Sequence, residues 1–299
     1  MVFKYLRRGL AALGIAALAC GAALADEASA KGRPALWQVS DRDTTVYLFG
    51  TINLLPKDYA WRTPAFEKAV AGSQSLVVET IVDSSNPAAL AGEMARLAFR
   101  PGLPPLASRV PPTKRAMLEA AIGKTGVPRP AFDRMETWAA AFVLLGTQFK
   151  DIGLSGEAGV ETVLRGAFTA AGKPVGQLET NAEQLGLFDT LPESAQLALL
   201  EGALEAPGEM RGEFHKMLAA WARGDVNSIA RSFNRDLAAS PELKDALIKR
   251  RNVNWSQWVE KRMAQPGTSL VAVGAGHLAG NDSLVEMLRR EGLQVRRIQ

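Results

Sequence analysis

Cysteine is almost absent. The one cysteine, Cys20, falls in an amino-terminal segment with the marks of a removable leader, so the chain beyond it has none. That excludes disulfides, thiolate metal sites and a cysteine nucleophile from the mature protein. Histidine is nearly as scarce, with two in 299 residues, His215 and His277. A one-signed charge excess is missing as well. The formal net charge is +4, and Lys4, Arg7 and Arg8 of the leader supply three of those charges. What is left gives no electrostatic footprint for nucleic acid. After the leader no apolar run approaches the ~20 residues of a membrane span.

The leader itself reads as a signal peptide over residues 1–25. Its basic start is followed by an apolar stretch from Gly9 to Leu24 and by Ala23-Leu24-Ala25, an A-x-A cleavage pattern before Asp26. A retained anchor fits less well, because the stretch is short and ends in small residues. Cys20 has Ala17 where a lipobox has leucine, and Arg7-Arg8 lacks the polar residue that precedes a twin-arginine pair. The expectation is an exported protein, periplasmic or secreted, cleaved near Ala25. Without disulfides its stability must come from its core, for which residues 26–299 suffice.

Strand-like runs cluster at the two ends of the chain. Ala35–Ser40 and Thr45–Gly50 flank a turn-like Asp41–Thr44 and predict a hairpin. Thr63 and Pro64 open a short helix to Ala71. Ser75–Val82 is a buried strand that carries Glu79 near its carboxyl end. An unpaired carboxylate there costs several kcal/mol, so Glu79 is either a functional group or half of a salt bridge. From Asn86 to about Met263 the pattern is helical, with candidates at Phe132–Phe149, Gly156–Ala171, Pro192–Leu204, Met210–Arg223 and Pro241–Met263. A strand-like interruption at Lys173–Thr180 places Glu179 at a strand end, where it also suits the cap of the following helix. Arg251 and Asn252 fit contacts to an anion or a solvated basic helix face. His215 reads as a solvated or core histidine. Leu293–Ile298 alternates as an edge strand does. No polar linker divides the chain, so residues 26–299 read as one domain, an α/β fold with a central sheet from both chain ends and a helical insert of about 85–265.

One stretch organises this pattern. Leu270–Val273 is a buried strand, and Gly274, Gly276 and Gly280 free the backbone around His277, at a strand's carboxyl end where α/β sheets bind ligands. Thr45–Asp58 repeats the motif. Aligned on Gly50 and Gly274, Asn53 matches His277, Leu54 matches Leu278 and Asp58 matches Asp282. Two strand–turn–helix halves facing one site are expected. No Gly-x-Ser-x-Gly is present, which sets aside Ser155 or Ser269 as a nucleophile for His277.

These residues together resemble the TraB/GumN family, which includes the Tiki proteins. The matching segments are Tyr47–Pro56, Leu76–Thr80, Gly172–Thr180, Asn181–Leu185, Leu187–Pro192, Arg251-Asn252 and Val273–Gly280, in family order over nearly all of the mature chain. The resemblance implies an α/β fold related to the erythromycin-esterase and ChaN-like proteins. For the Tiki branch it implies a metal-dependent protease with two Gly-x-x-His motifs and a glutamate. Carried over, these are Gly274 with His277, Glu79, and Gly50 with Asn53, where this chain departs from the family histidine. An amide offers a metal only a neutral carbonyl oxygen, so Mn²⁺ or Mg²⁺ suits the set better than Zn²⁺.

Two functions stay open at this point. One is a metal-dependent, peptidase-like hydrolase weakened at Asn53, with Glu79, His277 and Asn53 as catalytic and metal-holding groups and Gly50, Gly274, Gly276, Glu179 and Arg251 toward a peptide or small-molecule substrate. Asp282 is a further candidate oxygen ligand. The other is a non-catalytic periplasmic binding or accessory protein that keeps the cleft. The sequence does not address oligomeric state.

Overall fold

A computed structural model describes residues 32–56, 59–82, 87–151, 154, 156, 159–204, 207–237 and 240–299. The leader with its cleavage site, Asp58 of the first motif and Ser155 lie outside the described residues. No helix among the described residues is long and apolar enough to cross a membrane.

Strands β1 (Leu36–Ser40) and β2 (Thr44–Thr51) form the expected hairpin. Asp41 builds its turn by accepting the backbone N–H groups of Asp43 and Thr44. Thr63 caps helix α1 (Pro64–Gly72), which returns the chain to β3 (Ser75–Val78). The middle of the chain is helical, as its periodicity indicates: α2 (Pro87–Ala98), α3 (Arg115–Thr125), α4 (Thr137–Asp151), α5 (Val160–Ala170), α6 (Asn181–Asp189), α7 (Glu193–Gly202), α8 (Pro207–Ala222), α9 (Val226–Leu237) and α10 (Arg250–Met263). Between α5 and α6 lies β4 (Val175–Gln177), the predicted interruption. Then come β5 (Gly267–Gly274), α11 (Leu284–Arg290) and β6 (Val295–Arg297).

Two helix candidates divide. Phe132–Phe149 is a short helix, Arg129–Asp133, followed by α4, with Met135 between them bridging to Phe99. Pro241–Met263 contains a short α-turn (Pro241–Lys244) and a π-helical stretch (Asp245–Lys249) before α10.

The sheet has the order β4-β3-β5-β2-β1-β6. Its first four strands are parallel, and β1 and β6 run antiparallel to their neighbours. β6, from the alternating terminal segment, is an edge as expected. The insert is thus not purely helical, since β4 within it forms the other edge. One face of the sheet packs on Phe49, Phe66, Trp61 and Trp221, whose rings meet in stacked and edge contacts. The other face packs Trp37, Val46, Leu48, Val271 and Val273 against Trp255 and Val259 of α10 and Leu284 and Leu288 of α11. Each strand presents one set of side chains to each layer, as its period of two dictates.

Candidate functional site

The four parallel strands end side by side, which places four sequence landmarks in a row. β4 leads to Glu179, β3 to Glu79, β5 to Gly274 and His277, and β2 to Thr51 and Asn53. Thr51 is the register partner of Gly274, one step from the Gly50–Gly274 pairing the motif alignment gives. The two turns do converge.

Glu79 is 1% exposed and fully engaged. Its Oε1 accepts the Gly274 N–H at 2.6 Å, and its Oε2 accepts Arg251 Nη2 at 2.6 Å and Gln184 Nε2 at 3.4 Å. Arg251 enters from the first turn of α10 and is 2% exposed. Its Nε donates to Glu179 Oε1 at 2.8 Å, and its Nη2 lies 2.8 Å from Glu179 Oε2. A guanidinium fork satisfies two carboxylates at once because its donors are planar and fixed. The guanidinium also lies over the Trp255 ring, 4.6 Å from the centroid. Burial works to lower the Arg251 pKa, but the charges of Glu79 and Glu179 more than reverse it, so the group stays cationic.

His277 lies in a 3₁₀ turn, Ala275–Leu278, and is completely buried. Arg251 Nη1 approaches its Nε2 at 3.1 Å, and Asn252 Oδ1 approaches its Nδ1 at 2.8 Å. Guanidinium N–H groups only donate, so Nε2 must accept. The Asn252 Nδ2 donates to the carbonyls of His277 and Asp282, which leaves its Oδ1 to accept from Nδ1–H. The imidazole is therefore the neutral Nδ1–H tautomer. Burial and the Arg251 charge both push its pKa well below the ordinary value. The Trp255 ring covers it at 4.3 Å.

Asn53 is 8% exposed and points elsewhere. Its Nδ2 donates to Glu161 Oε1 at 3.3 Å, and Thr51 Oγ1 donates to the same oxygen at 3.0 Å. Glu161 sits in the first turn of α5, whose start is locked to β2 by the bond from Val160 N–H to the Ile52 carbonyl at 3.1 Å. The Glu161 carboxyl is pushed up to about 8, first by burial and then by the Glu79 charge, against the bonds from Thr51 and Asn53. Burial also raises Glu79, opposed by Arg251 and the Gly274 N–H. Both carboxyls are thus pushed above the ordinary carboxylate range.

The structure thus brings Glu79 and His277 together, with Oε1 and Nε2 3.9 Å apart, while Asn53 turns its amide to Glu161. Several expectations need correction. Arg251 is buried and not part of a solvated face, and two carboxylates of the chain and an imidazole use its donors. Glu179 pairs with Arg251, and the helix cap is Thr180, in a capping box with Glu183. Asp282 pairs with Lys244 at 2.8 Å instead of entering the site. Gly276 faces the Phe233 ring. The Gly50 carbonyl accepts Trp221 Nε1 at 2.7 Å, and a Cβ at Gly50 would come within 3.0 Å of Ala275 Cα. Both glycines serve close packing. Ser269, at the opposite end of β5 from His277, pairs with Ser75 and Arg262.

The donor set does not fit a divalent ion while Arg251 is in place. The Nε2 lone pair of His277 and both oxygens of Glu79 are already spent, and among the described residues no three His, Cys, Asp or Glu groups stand together to hold a metal. Glu161 is the residue that the linear reading missed. Glu161 sits just inside the predicted Gly156–Ala171 helix, and nothing in its own neighbourhood marks it as facing Asn53.

No solved structure matches the chain. The "Uncharacterized protein YbaP" of Escherichia coli (strain K12) is 28% identical over 247 residues, which cover 81% of this chain and 87% of that protein. The protein of the same description from Shigella flexneri gives the same figures. The sequence profile of the TraB/PrgY/gumN family matches residues 35–297, from the first residue before β1 to the end of β6, and the chain belongs to that family.

Proposed function

We propose that this chain is an exported TraB-family protein, a single domain after loss of its leader, that binds a peptide or small-molecule ligand without metal-dependent hydrolysis. One observation carries this reading. Arg251 holds both the Glu79 oxygen and the His277 nitrogen that a metal would need. Asn53 in place of a histidine acts in the same direction, since an amide adds a neutral oxygen and no second imidazole. A fold related to the erythromycin-esterase and ChaN-like proteins is part of the same reading and rests on the family likeness. Titration calorimetry of the native protein with Mn²⁺, Mg²⁺ and Zn²⁺ tests it, with no stoichiometric binding expected. A one-to-one complex together with chelator-sensitive peptide hydrolysis overturns it.

A second reading, hydrolysis without metal, is favoured by Glu161. Its Oε1 accepts two hydrogen bonds, which leaves the proton on Oε2, and a carboxyl that titrates near neutrality suits general acid–base work. Chelator-insensitive cleavage of peptide or ester substrates, lost in Glu161→Gln, selects this reading over the first.

A further inference from the structure

A recess among the described residues is lined by none of Glu79, Glu179, Arg251 and His277. It lies between α9, the Pro241–Lys244 turn with the π-helical stretch after it, and the loop of residues 276–282. It holds about 280 Å³, part of it open to solvent. That is the scale of one amino acid, just under the roughly 300–1,000 Å³ of pockets for larger ligands. Its apolar lining is Phe233, Leu237 and Ile248, all buried. Ile248 comes from the π-helical stretch Asp245–Lys249, a geometry that helices adopt frequently at functional positions.

The polar groups of the recess come in both signs. Lys244 Nζ lies 2.8 Å from Asp282 Oδ2, with the two side chains 36% and 35% exposed. A pair this open to water contributes little to stability, so parting it costs little. The loop beside it presents spare donors. The carbonyls of Gly280, Asn281 and Asp282 are taken, by the Ser283 N–H at 3.2 Å, Arg290 Nη2 at 2.8 Å and Asn252 Nδ2 at 2.7 Å. The N–H groups of the same three residues meet no acceptor among the described residues. Successive unbonded N–H groups in a turn attract an anion.

We propose that this recess binds a free apolar α-amino acid as its zwitterion. The carboxylate goes to Lys244 and the loop N–H groups, the ammonium to Asp282, and the side chain to Phe233, Leu237 and Ile248. A zwitterion replaces one ion pair by two and leaves neither protein charge without a partner, whereas a simple anion or cation strands one of them. A peptide, with its termini far apart, offers only one of the two charges here. The space is narrow while Lys244 and Asp282 are paired, so binding parts them. This gives the ligand of the binding reading a chemical class and rests on the binding half of that reading. Asn252 ties the recess to the buried cluster, since its Nδ2 holds the carbonyls of both Asp282 and His277. A ligand that moves Asp282 is felt at that amide.

Calorimetry and NMR of the native chain test the proposal with L-leucine, L-methionine and L-phenylalanine as probes, each beside its N-acetyl derivative and its amide. One-to-one binding of at least one free amino acid is expected, with a shift of the Asn252 side-chain amide. Blocking either charge is expected to weaken binding roughly tenfold or more. Lys244→Met and Asp282→Asn should each weaken it by a similar factor, with thermal midpoints checking that the variants fold. Three results overturn the proposal: no binding of any of the three at millimolar concentration, equal binding by a blocked derivative, or binding indifferent to Lys244→Met in a folded protein. If neither variant folds, the blocked derivatives on the native chain decide. The metal titration is read separately. Metal uptake with amino-acid binding intact ends the metal-free reading alone, and absent amino-acid binding without metal uptake ends this proposal alone.

Discussion

Asn53 and Glu161, 108 residues apart in the chain, meet at 3.3 Å, with the amide nitrogen of one donating to the carboxyl of the other. The pairing joins the turn after β2 to the first turn of α5 and sets a carboxyl whose pKa is raised to about 8 in the field of the buried Glu79. Each of these consequences can be measured.

The pH dependence follows from Glu161, whose carboxyl titrates at about 8 in the folded chain against an ordinary value of 4.5. Below about 4.5 both folded and unfolded chains hold the proton, and the contribution to stability is fully present. Between the two values the folded chain holds more protons than the unfolded one, so stability falls as pH rises and the contribution is gone above about 8. The thermal midpoint is expected to drop from pH 5 to pH 8.5. Glu161→Gln, which imitates the protonated acid, should flatten that slope. An unchanged slope in the variant would show that Glu161 does not carry the proton.

His277→Ala should be destabilising. The ring is completely buried, bonded at both nitrogens and covered by Trp255. Its removal leaves Arg251 and Asn252 each short of a partner, at a cost of about 2–4 kcal/mol. Urea unfolding followed by tryptophan fluorescence checks this. A change under half a kcal/mol would mean that the imidazole is held for chemistry alone.

Gly159 is where α5 crosses the turn that carries Asn53. A Cβ at Gly159 would lie 2.9 Å from the Asn53 carbonyl carbon and 3.0 Å from its Cα. Backbone cannot yield there as a flexible side chain can, so Gly159→Ala should cost about 1–3 kcal/mol and shift the Glu161 titration. Chemical denaturation and carboxyl NMR read the two effects.

Asn53→His alone should leave Zn²⁺ affinity unchanged by calorimetry. The new imidazole would stand by Glu161, while Arg251 still occupies His277 and Glu79. A clear gain in affinity with Arg251 intact would place a metal site at Asn53 and Glu161.

Much of the strand framework was legible locally. Four- to eight-residue apolar runs bounded by turn residues gave β1, β2, β3 and β5, and the Asp41 turn joined the first two as its composition indicates. Glu79 stood out because a carboxylate in an apolar run demands a partner. His277 stood out because it follows a buried strand within a glycine-rich turn, at the strand end where α/β sheets bind ligands. The roles of Arg251 and Glu161 were not legible. Arg251 and Asn252 read as contacts to an anion or as a solvated basic helix face, and nothing beside Glu161 in the chain marks it as facing Asn53.

The sequence by itself determined where the strands end and which of their ends carry polar groups, because apolar periodicity and glycine placement act over a few residues. Only the tertiary structure decided what those groups do. Arg251 reaches Glu179 across 72 positions of chain and Glu79 across 172. A guanidinium is buried only where carboxylates already wait for it, since desolvating it alone is prohibitive. That condition is met by the folding of the parallel strands into one row, and no stretch of the chain contains it.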